Sequence, residues 1–250
     1  MRQLLEAARV TRQIVATIMD IGAMRKPYRG KEAGFGTADL AAREPFAQFT
    51  AWFEEASQHD EIHEANAMCL STATTEGVPS ARFVLLKKFG PEGFTFYTNY
   101  GSRKAGELDS NPRAALTFYW APLNRSVRVE GGVARISETE SEQYFRSRPL
   151  SSQIGAAVSQ QSQVVAGRAV LAAREAELLA RHGKEESGEA VPRPDWGGYR
   201  VTPHTVEFWQ GQSDRIHDRI RFRLAGEGEM IDESVTTRGE ASWLIERLEP

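Results

Sequence analysis

"SARFVLLKKFGPEGFTFYTN", residues 80–99, is the clearest signal of antiparallel structure in the chain. Its two flanking segments are rich in aromatic and branched side chains, which favours β-strands. The tetrapeptide "GPEG" at 90–93 separates them and has the glycines and the proline typical of a tight turn. The stretch therefore predicts a β-hairpin.

Further strands are predicted on both sides of this hairpin. Residues 67–74 precede it, and residues 113–120 and 125–136 follow it across the turn "APLN". Two more strands are expected at 198–209 and 216–224. Short turns between successive strands favour antiparallel pairing.

Helices are predicted in separate blocks. Ser137 and Glu140 form a capping-box pattern that opens one of them. The predicted helical segments are 46–56, a short helix within 101–112, 137–146, 151–159 and 164–182. Because these helices do not alternate with strands, a doubly wound parallel sheet is excluded. We expect a mainly β protein with added helices, an antiparallel barrel at 44–250 preceded by a partly mobile N-terminal arm at 1–43.

Composition excludes several classes of function. The net charge of −3 over 250 residues gives no global field that would favour nucleic acid or a membrane surface. Cys69 is the only cysteine and the five histidines are scattered, so no metal site is expected. No apolar run approaches the length of a membrane span. A cytoplasmic location is expected; the amphipathic segment 1–20, with three arginines, leaves a mitochondrial transit peptide as a weaker alternative.

Basic and hydroxyl residues recur at strand ends and in loops. Such a mixture of guanidinium, ammonium and neutral donors suits phosphate. The segment "SRK" at 102–104 also enters a predicted helix, whose free N–H groups favour an anion. Four clusters share this character, at 82–88, 98–104, 144–152 and 161–162. Any one of them could be a solvated surface, but their number indicates two phosphate groups.

A second pattern lies near the carboxyl end, where basic side chains occupy every second position. They are Arg215, His217, Arg219, Arg221 and Arg223. In a strand such residues share one face, which predicts a row of basic groups. The sequence has no phosphate-binding lysine loop, no dinucleotide fingerprint and no serine-nucleophile elbow. The chemistry is therefore expected to come from a bound organic cofactor.

Several long motifs together resemble the pyridoxamine 5′-phosphate oxidase family. They are "SARFVLLK", "FYTNYGSRKAGELDSNPRAALTFYW", "VRVEG", "YFRSRPLSSQIGAAVSQQS", "VEFWQGQSDRIHDR" and "WLIERL". The resemblance covers roughly residues 24–250, and "MRKPYRG" at 24–30 is similar to animal members. It implies an FMN-binding split barrel of six antiparallel strands that acts as a homodimer. It also implies oxidation of pyridoxamine or pyridoxine 5′-phosphate to pyridoxal 5′-phosphate, with dioxygen reduced to hydrogen peroxide.

The resemblance assigns residues to the site. Those implied to contact FMN are Arg82, Phe83, Val84, Leu85, Tyr97, Thr98, Arg103, Lys104, Ser126, Gln161, Ser162, Trp209 and Arg219. Those implied to contact substrate are Arg25, Lys26, Pro27, Tyr28, Lys87, Tyr144, Arg148, Ser152, Arg215, Ile216 and His217. Residues 25–28 would cover the substrate. Arg215 and His217 are the expected catalytic residues, sharing a strand face, while Arg221 and Arg223 are expected on a solvated outer face.

One position departs from the family pattern. Ser126 stands where the family usually has glutamine, and serine is too short for the same direct hydrogen bond to FMN. Two other readings stay open at this point. The chain could be a split-barrel flavoprotein with another reaction, such as a flavin reductase, or a non-catalytic protein that binds pyridoxal 5′-phosphate or flavin.

Overall fold

The computed structural model describes residues 21–24, 28, 34–183 and 189–250. Within these residues five α-helices and ten strands are present. The helices are α1 (Pro45–Gln58), α2 (Arg103–Ser110), α3 (Glu138–Ser147), α4 (Leu150–Val158) and α5 (Arg168–His182). The strands are β1 (Ala67–Ala73), β2 (Pro79–Leu85), β3 (Lys88–Gly90), β4 (Gly93–Asn99), β5 (Arg113–Trp120), β6 (Arg125–Arg135), β7 (Trp196–Gln210), β8 (Asp218–Leu224), β9 (Thr236–Arg238) and β10 (Trp243–Arg247).

Six of these strands form the predicted antiparallel barrel. The pairing runs β2–β1–β5–β6–β7, and the first part of β7 also pairs with β4. Just after β2, the Lys87 N–H donates to the Thr95 carbonyl on β4 at 2.9 Å, which brings the two ends of the path together. β8, β10 and β9 extend the sheet beyond β7. The split barrel with added helices is thus confirmed.

The long strand β7 pairs with β4 in the barrel and with β8 in the extension of the sheet, and its pairing with β6 contains a bulge. The register shifts between Glu130 and Gly131. A side chain on Gly131 would lie 2.1 Å from the Thr202 carbonyl oxygen, so this close approach of the two backbones requires glycine.

Helix α1 packs into the barrel and supplies much of its core. Glu44 caps its first turn, its carboxylate accepting the Phe46 N–H at 2.8 Å, and Pro45 occupies the first helical position. Phe49 is fully buried and meets Phe94 and Phe118 edge-on. Burying one such aromatic side chain contributes about 1.5–3 kcal/mol.

A smaller apolar cluster fixes α3 and α4 against the barrel. It consists of Phe145, Ile154, Val191 and Trp196. The predicted cap of α3 is confirmed, because the Ser137 hydroxyl accepts the Glu140 N–H at 3.1 Å. The cluster determines where α3 and α4 stand relative to β4, and this placement forms one wall of the cleft described below.

The predicted strand at 216–224 begins two residues later than expected. β8 starts at Asp218, and Arg215 has a left-handed backbone with φ of 67°. The Ile216 N–H donates to the Asp214 carboxylate at 2.9 Å, which makes a local turn. The prediction that Arg215 and His217 share a strand face is therefore wrong, since neither lies on the strand and only Arg219, Arg221 and Arg223 do.

Arg221 and Arg223 lie on the outer face of β8, opposite the buried Ile220 and Phe222, as predicted, but they are paired rather than freely solvated. Both guanidinium groups pair with Glu246 on β10, and Arg223 pairs with Glu229 as well. Their side chains are only partly exposed.

On the predicted arm, Phe35 is buried in the core. No helix within the described residues is long and apolar enough to cross a bilayer.

Candidate active site

A cleft of about 960 Å³ lies between β2, β4, α2 and the α3–α4 segment. Most of the predicted FMN and substrate residues line it together. They are Arg82, Phe83, Val84, Leu85, Lys87, Tyr97, Thr98, Arg103, Lys104, Tyr144, Arg148, Ser152, Gln161 and Ser162. The fold thus brings segments that lie between Ser80 and Trp196 in the sequence to one cavity.

Three cations lie at one end of the cleft. Arg82 is on β2, and Arg103 and Lys104 open α2. The Lys104 ammonium is buried and donates to the Gln161 side chain at 2.7 Å and to the Thr98 hydroxyl at 3.1 Å. Burial, reinforced by the charge of Arg82 and opposed by that of Glu107, lowers the pKa of Lys104 to about 8.

Loop residues complete this end of the cleft. Ser162 has a left-handed backbone with φ of 72°, and its hydroxyl accepts the Arg103 N–H at 3.2 Å. The start of α2 is capped by Ser102. Positive side chains, hydroxyl groups and a helix start therefore converge as an anion-binding site requires.

Aromatic rings line the other end of the cleft. Tyr97 stacks on Tyr144 at 4.0 Å between ring centroids and on Trp196 at 5.1 Å. Burial first, and then the neighbouring Tyr144, raises the pKa of Tyr97 to about 12, so its hydroxyl stays protonated at neutral pH.

Arg148 places a further cation at this aromatic end. Its guanidinium lies over Trp196, 4.8 Å from the ring centroid. Its Nη1 is buried and has no hydrogen-bond partner among the described residues. Buried donors in native proteins are nearly always satisfied, so this group is suited to a ligand. A phosphate held here would lie beside Ser152, which also lines the cleft.

The remaining predicted site residues form a second region, outside the residues that line the cleft. Ser126, Trp209 and Arg219 lie side by side across β6, β7 and β8. The ring of Tyr28 meets Trp209 edge-on at 5.9 Å and His217 at 5.6 Å. Arg25, Lys26 and Pro27 lie outside the described residues.

Arg215, Ile216 and His217 belong to a loop in this second region. Arg215 is exposed, and Ile216 is 66% exposed. The His217 Nδ1 accepts the backbone N–H of Gln212 at 3.0 Å. With Nδ1 as acceptor, the neutral ring carries its proton on Nε2 and presents a hydrogen-bond donor.

Arg219 is held by acidic and backbone partners. Its Nε donates to Glu207 at 2.8 Å and its Nη1 to the Glu249 carbonyl at 2.8 Å. Glu207 is buried and also accepts from Arg128 at 2.6 Å. The hydrogen bond to Glu207 raises the pKa of Arg219; burial opposes this shift and the charge of Glu207 adds to it.

Some residues around the site were not predicted. Asp218 accepts from the Gln212 side chain at 2.7 Å and the Phe35 N–H at 2.9 Å, and it pairs with Arg247. It thereby ties the loop that carries His217 to the N-terminal segment. Glu107 pairs with both Arg82 and Arg103. The sequence does contain a signal for the pair of Glu107 with Arg103, because the two residues are four positions apart on a predicted helix and such residues lie side by side.

The fold and this cleft define a split-barrel protein of the FMN-binding class, with a cationic site and an aromatic wall. The family model described as pyridoxamine 5′-phosphate oxidase matches residues 54–182. The model described as pyridoxine 5′-phosphate oxidase C-terminal dimerisation region matches residues 196–250. The chain belongs to the pyridoxamine 5′-phosphate oxidase family, and the resemblance inferred from its motifs is confirmed.

Individual relatives agree with this assignment. The pyridoxine/pyridoxamine 5′-phosphate oxidase of Bombyx mori is 52% identical over 233 residues, covering 93% of this chain and 90% of that protein. The pyridoxine-5′-phosphate oxidase of Bos taurus is 53% identical, covering 93% and 88%. The structure of PhzG from Burkholderia lata, in complex with tetrahydrophenazine-1-carboxylic acid, has a TM-score of 0.73 at 29% identity, covering 88% of this chain and 98% of that one.

Proposed function

We propose that this protein oxidises pyridoxamine 5′-phosphate and pyridoxine 5′-phosphate to pyridoxal 5′-phosphate. FMN, when bound, would accept a hydride from the substrate and pass the electrons to dioxygen, which becomes hydrogen peroxide. With the amine substrate, one water is also consumed and ammonia is released. The observation that carries the proposal is the single cleft in which two anion-binding groups of residues meet around an aromatic wall. The names of the relatives support the same reaction.

The cationic end of the cleft suits the phosphate of FMN. Arg82, Arg103, Lys104 and Ser162 would hold it, and the positive end of the α2 helix dipole would favour its negative charge. Each charge-assisted hydrogen bond contributes about 1.5–3 kcal/mol, so the set would hold a phosphate firmly. The residues present thus fit the cofactor that the family uses.

The aromatic end of the cleft suits the phosphate and ring of the substrate. Lys87, Tyr144, Arg148 and Ser152 would bind the phosphate, and the unsatisfied Arg148 Nη1 would gain a partner there. A fixed phosphate limits how far the pyridine ring can move, which lowers the entropy cost of reaching a reactive geometry.

The loop that carries Arg215 and His217 would position the reacting end of the substrate. His217, with its proton on Nε2, would donate a hydrogen bond to the ring substituents rather than accept a proton. Arg215 would place a positive charge near the amine or alcohol that is oxidised. Tyr28, in contact with His217, would limit access of water.

A homodimer would complete this site. Within one chain, Trp209, Arg215, His217 and Arg219 are absent from the residues that line the cleft. All four lie in the segment that matches the dimerisation region. We infer that the second region of one chain faces the cleft of its partner, so that each dimer has two equivalent sites. Sedimentation should show a dimer, and a monomer that binds FMN fully would contradict this inference.

The experiment that tests the function is a peroxide assay on protein reconstituted with FMN. Pyridoxine 5′-phosphate and pyridoxamine 5′-phosphate should each yield hydrogen peroxide and pyridoxal 5′-phosphate, and unphosphorylated pyridoxine should yield far less. A protein that shows a flavin spectrum but forms no peroxide would instead indicate a non-catalytic binder. A protein that cannot be reconstituted with FMN would overturn the proposal.

A further inference from the structure

We propose that Glu107 is a positioning residue of the cleft, an internal counter-ion that holds Arg82 and Arg103 in the orientation that binds the flavin phosphate. This inference rests on the proposed function, because it concerns the same cleft. Glu107 does not itself line the cavity, so it would act through the two arginines.

The Glu107 carboxylate lies under the cationic end of the cleft and is only 6% exposed. Its Oε1 accepts the Nε–H of Arg103 at 2.8 Å. Its Oε2 accepts from Arg82 Nη2 at 3.3 Å and from the Thr72 hydroxyl. Both oxygens are therefore committed, one to each arginine. Burial alone would raise the pKa of Glu107, but hydrogen bonds from Thr72 and Arg103 outweigh it and hold the pKa below its usual value.

These contacts constrain how each arginine can turn. Arg82 is fixed by Glu107 together with the Ser80 hydroxyl at 2.7 Å and the Leu70 carbonyl at 3.3 Å. Arg103 uses its Nε for Glu107, and the described residues offer no hydrogen-bond partner to either of its Nη groups. An arginine held through Nε presents its Nη pair as a fork, which is the geometry that binds phosphate oxygens.

The net charge of the cluster also supports phosphate binding. Arg82, Arg103 and Lys104 are three cations and Glu107 is the only carboxylate that pairs with them among the described residues, which leaves a net charge of +2. A phosphate monoester carries about −2 near neutral pH, so the cluster matches it. The charge of Glu107 also raises the pKa of Lys104, which keeps this ammonium protonated to a higher pH.

The test compares the binding of FMN with that of riboflavin, which has the same ring system and no phosphate. Three variants are measured beside the wild type: Glu107→Gln, Thr72→Val and Asp109→Asn. Thr72→Val removes the hydroxyl that contacts both Arg82 and Glu107 and changes no charge. Asp109→Asn is the matched control, since Asp109 lies on the same helix and pairs with Arg135.

Glu107→Gln should weaken FMN binding roughly tenfold, the loss of about one charge-assisted hydrogen bond, and leave riboflavin binding unchanged. Thr72→Val should show a smaller loss in the same direction, and Asp109→Asn should leave both affinities unchanged. As the pH is raised, the preference for FMN over riboflavin should begin to fall at a lower pH in Glu107→Gln than in the wild type. The reason is that Lys104 would lose its proton at a lower pH without the charge of Glu107. A purely structural role for Glu107 would weaken both flavins equally.

Other outcomes would overturn the inference. An unchanged FMN affinity in Glu107→Gln would mean that the carboxylate does not position the arginines for the phosphate, and a tighter affinity would mean that it only repels the phosphate. If Glu107→Gln does not fold, Thr72→Val provides the test. An unchanged preference of Thr72→Val for FMN over riboflavin would reject the inference. A wild type that binds neither flavin would overturn the proposed function itself, which is a distinguishable result.

Discussion

The cleft and the loop at 211–217 carry the two halves of the predicted site, and they are built in opposite ways. In the cleft, the charged groups are fixed by internal hydrogen bonds, as Lys104 is by Thr98 and Gln161. In the loop, Arg215 and Ile216 are exposed in the single chain. The cleft is thus organised before any ligand arrives, whereas the loop presents side chains outward.

This difference predicts separate roles for the cleft and the loop. Pre-organised charges lower the cost of binding a phosphate, because they need no rearrangement when the ligand enters. Exposed groups on a loop are suited to act on a surface that another chain supplies. We therefore expect substitutions in the cleft to change binding and substitutions in the loop to change turnover.

The largest effect is expected from Arg215→Ala. Removing a positive charge beside the reacting group should lower kcat/KM by about 10²–10³, the range seen when one electrostatic transition-state contact is lost. Bound flavin, measured by absorbance, should stay at the wild-type level. Arg181→Ala is a matched control, since Arg181 is an exposed arginine paired with Glu177 on α5. Loss of flavin in Arg215→Ala would contradict the division between cleft and loop.

A smaller effect is expected from Arg148→Ala in the cleft. The loss of one charge-assisted contact to the substrate phosphate, worth about 1.5–3 kcal/mol, should raise KM by roughly 10- to 150-fold. The kcat value at saturating substrate and the FMN affinity should change little. Steady-state kinetics with FMN in excess provide the measurement. A variant that loses kcat at unchanged KM would place Arg148 with the loop residues instead.

Flavin binding should also depend on pH through Lys104. Its pKa of about 8 in the free protein means that it is a cation below pH 8 and neutral above. A bound phosphate stabilises the cation, so FMN binding takes up a proton above pH 8, and its affinity should fall by up to about tenfold per pH unit. Fluorescence titration between pH 7 and pH 9.5 measures this slope. Lys104→Arg should keep the affinity flat over the range.

The smallest effect is expected at the position that departs from the family pattern. Ser126 lies beside Trp209 and Tyr119 in the sheet. Ser126→Gln should tighten FMN binding by roughly threefold to tenfold, because one net hydrogen bond is worth about 0.5–1.5 kcal/mol. Equal or weaker binding in this variant would show that the residue at 126 does not reach the flavin.

The cleft and the loop also differ in how much of their structure could be predicted from the sequence. The β3–β4 hairpin and α1 follow from local alternation, helical spacing and turn residues, all of which a single sequence displays. The prediction of one continuous strand at 80–89 paired with 94–99 is wrong, because β2 pairs with β1 and only β3 pairs with β4. The cleft residues could be named because long motifs carry them. Their convergence could not be read from spacing, since it depends on how β2, β4 and α4 pack.

The loop before β8 marks the limit of such reasoning. The alternation of basic residues continues through Arg215 and His217, although the Asp214 turn has already ended the extended backbone. A period of two is therefore not specific to a strand when turn residues lie within it. The contact between Arg82 and Glu107 was missed for another reason, because it joins residues on different elements.

The most direct test of the account uses a dimer with a different substitution in each chain. One chain carries Arg148→Ala in the cleft and the other carries Arg215→Ala in the loop, and the mixed dimer is isolated with two affinity tags. If each site combines the cleft of one chain with the loop of its partner, one site holds both substitutions and the other holds none. The assay uses a substrate concentration well below the wild-type KM, where the raised KM of Arg148→Ala lowers the rate. The mixed dimer should then show about half the wild-type activity, while each parent homodimer stays impaired. Activity no higher than that of the parents would mean that cleft and loop act within one chain, which would contradict the account.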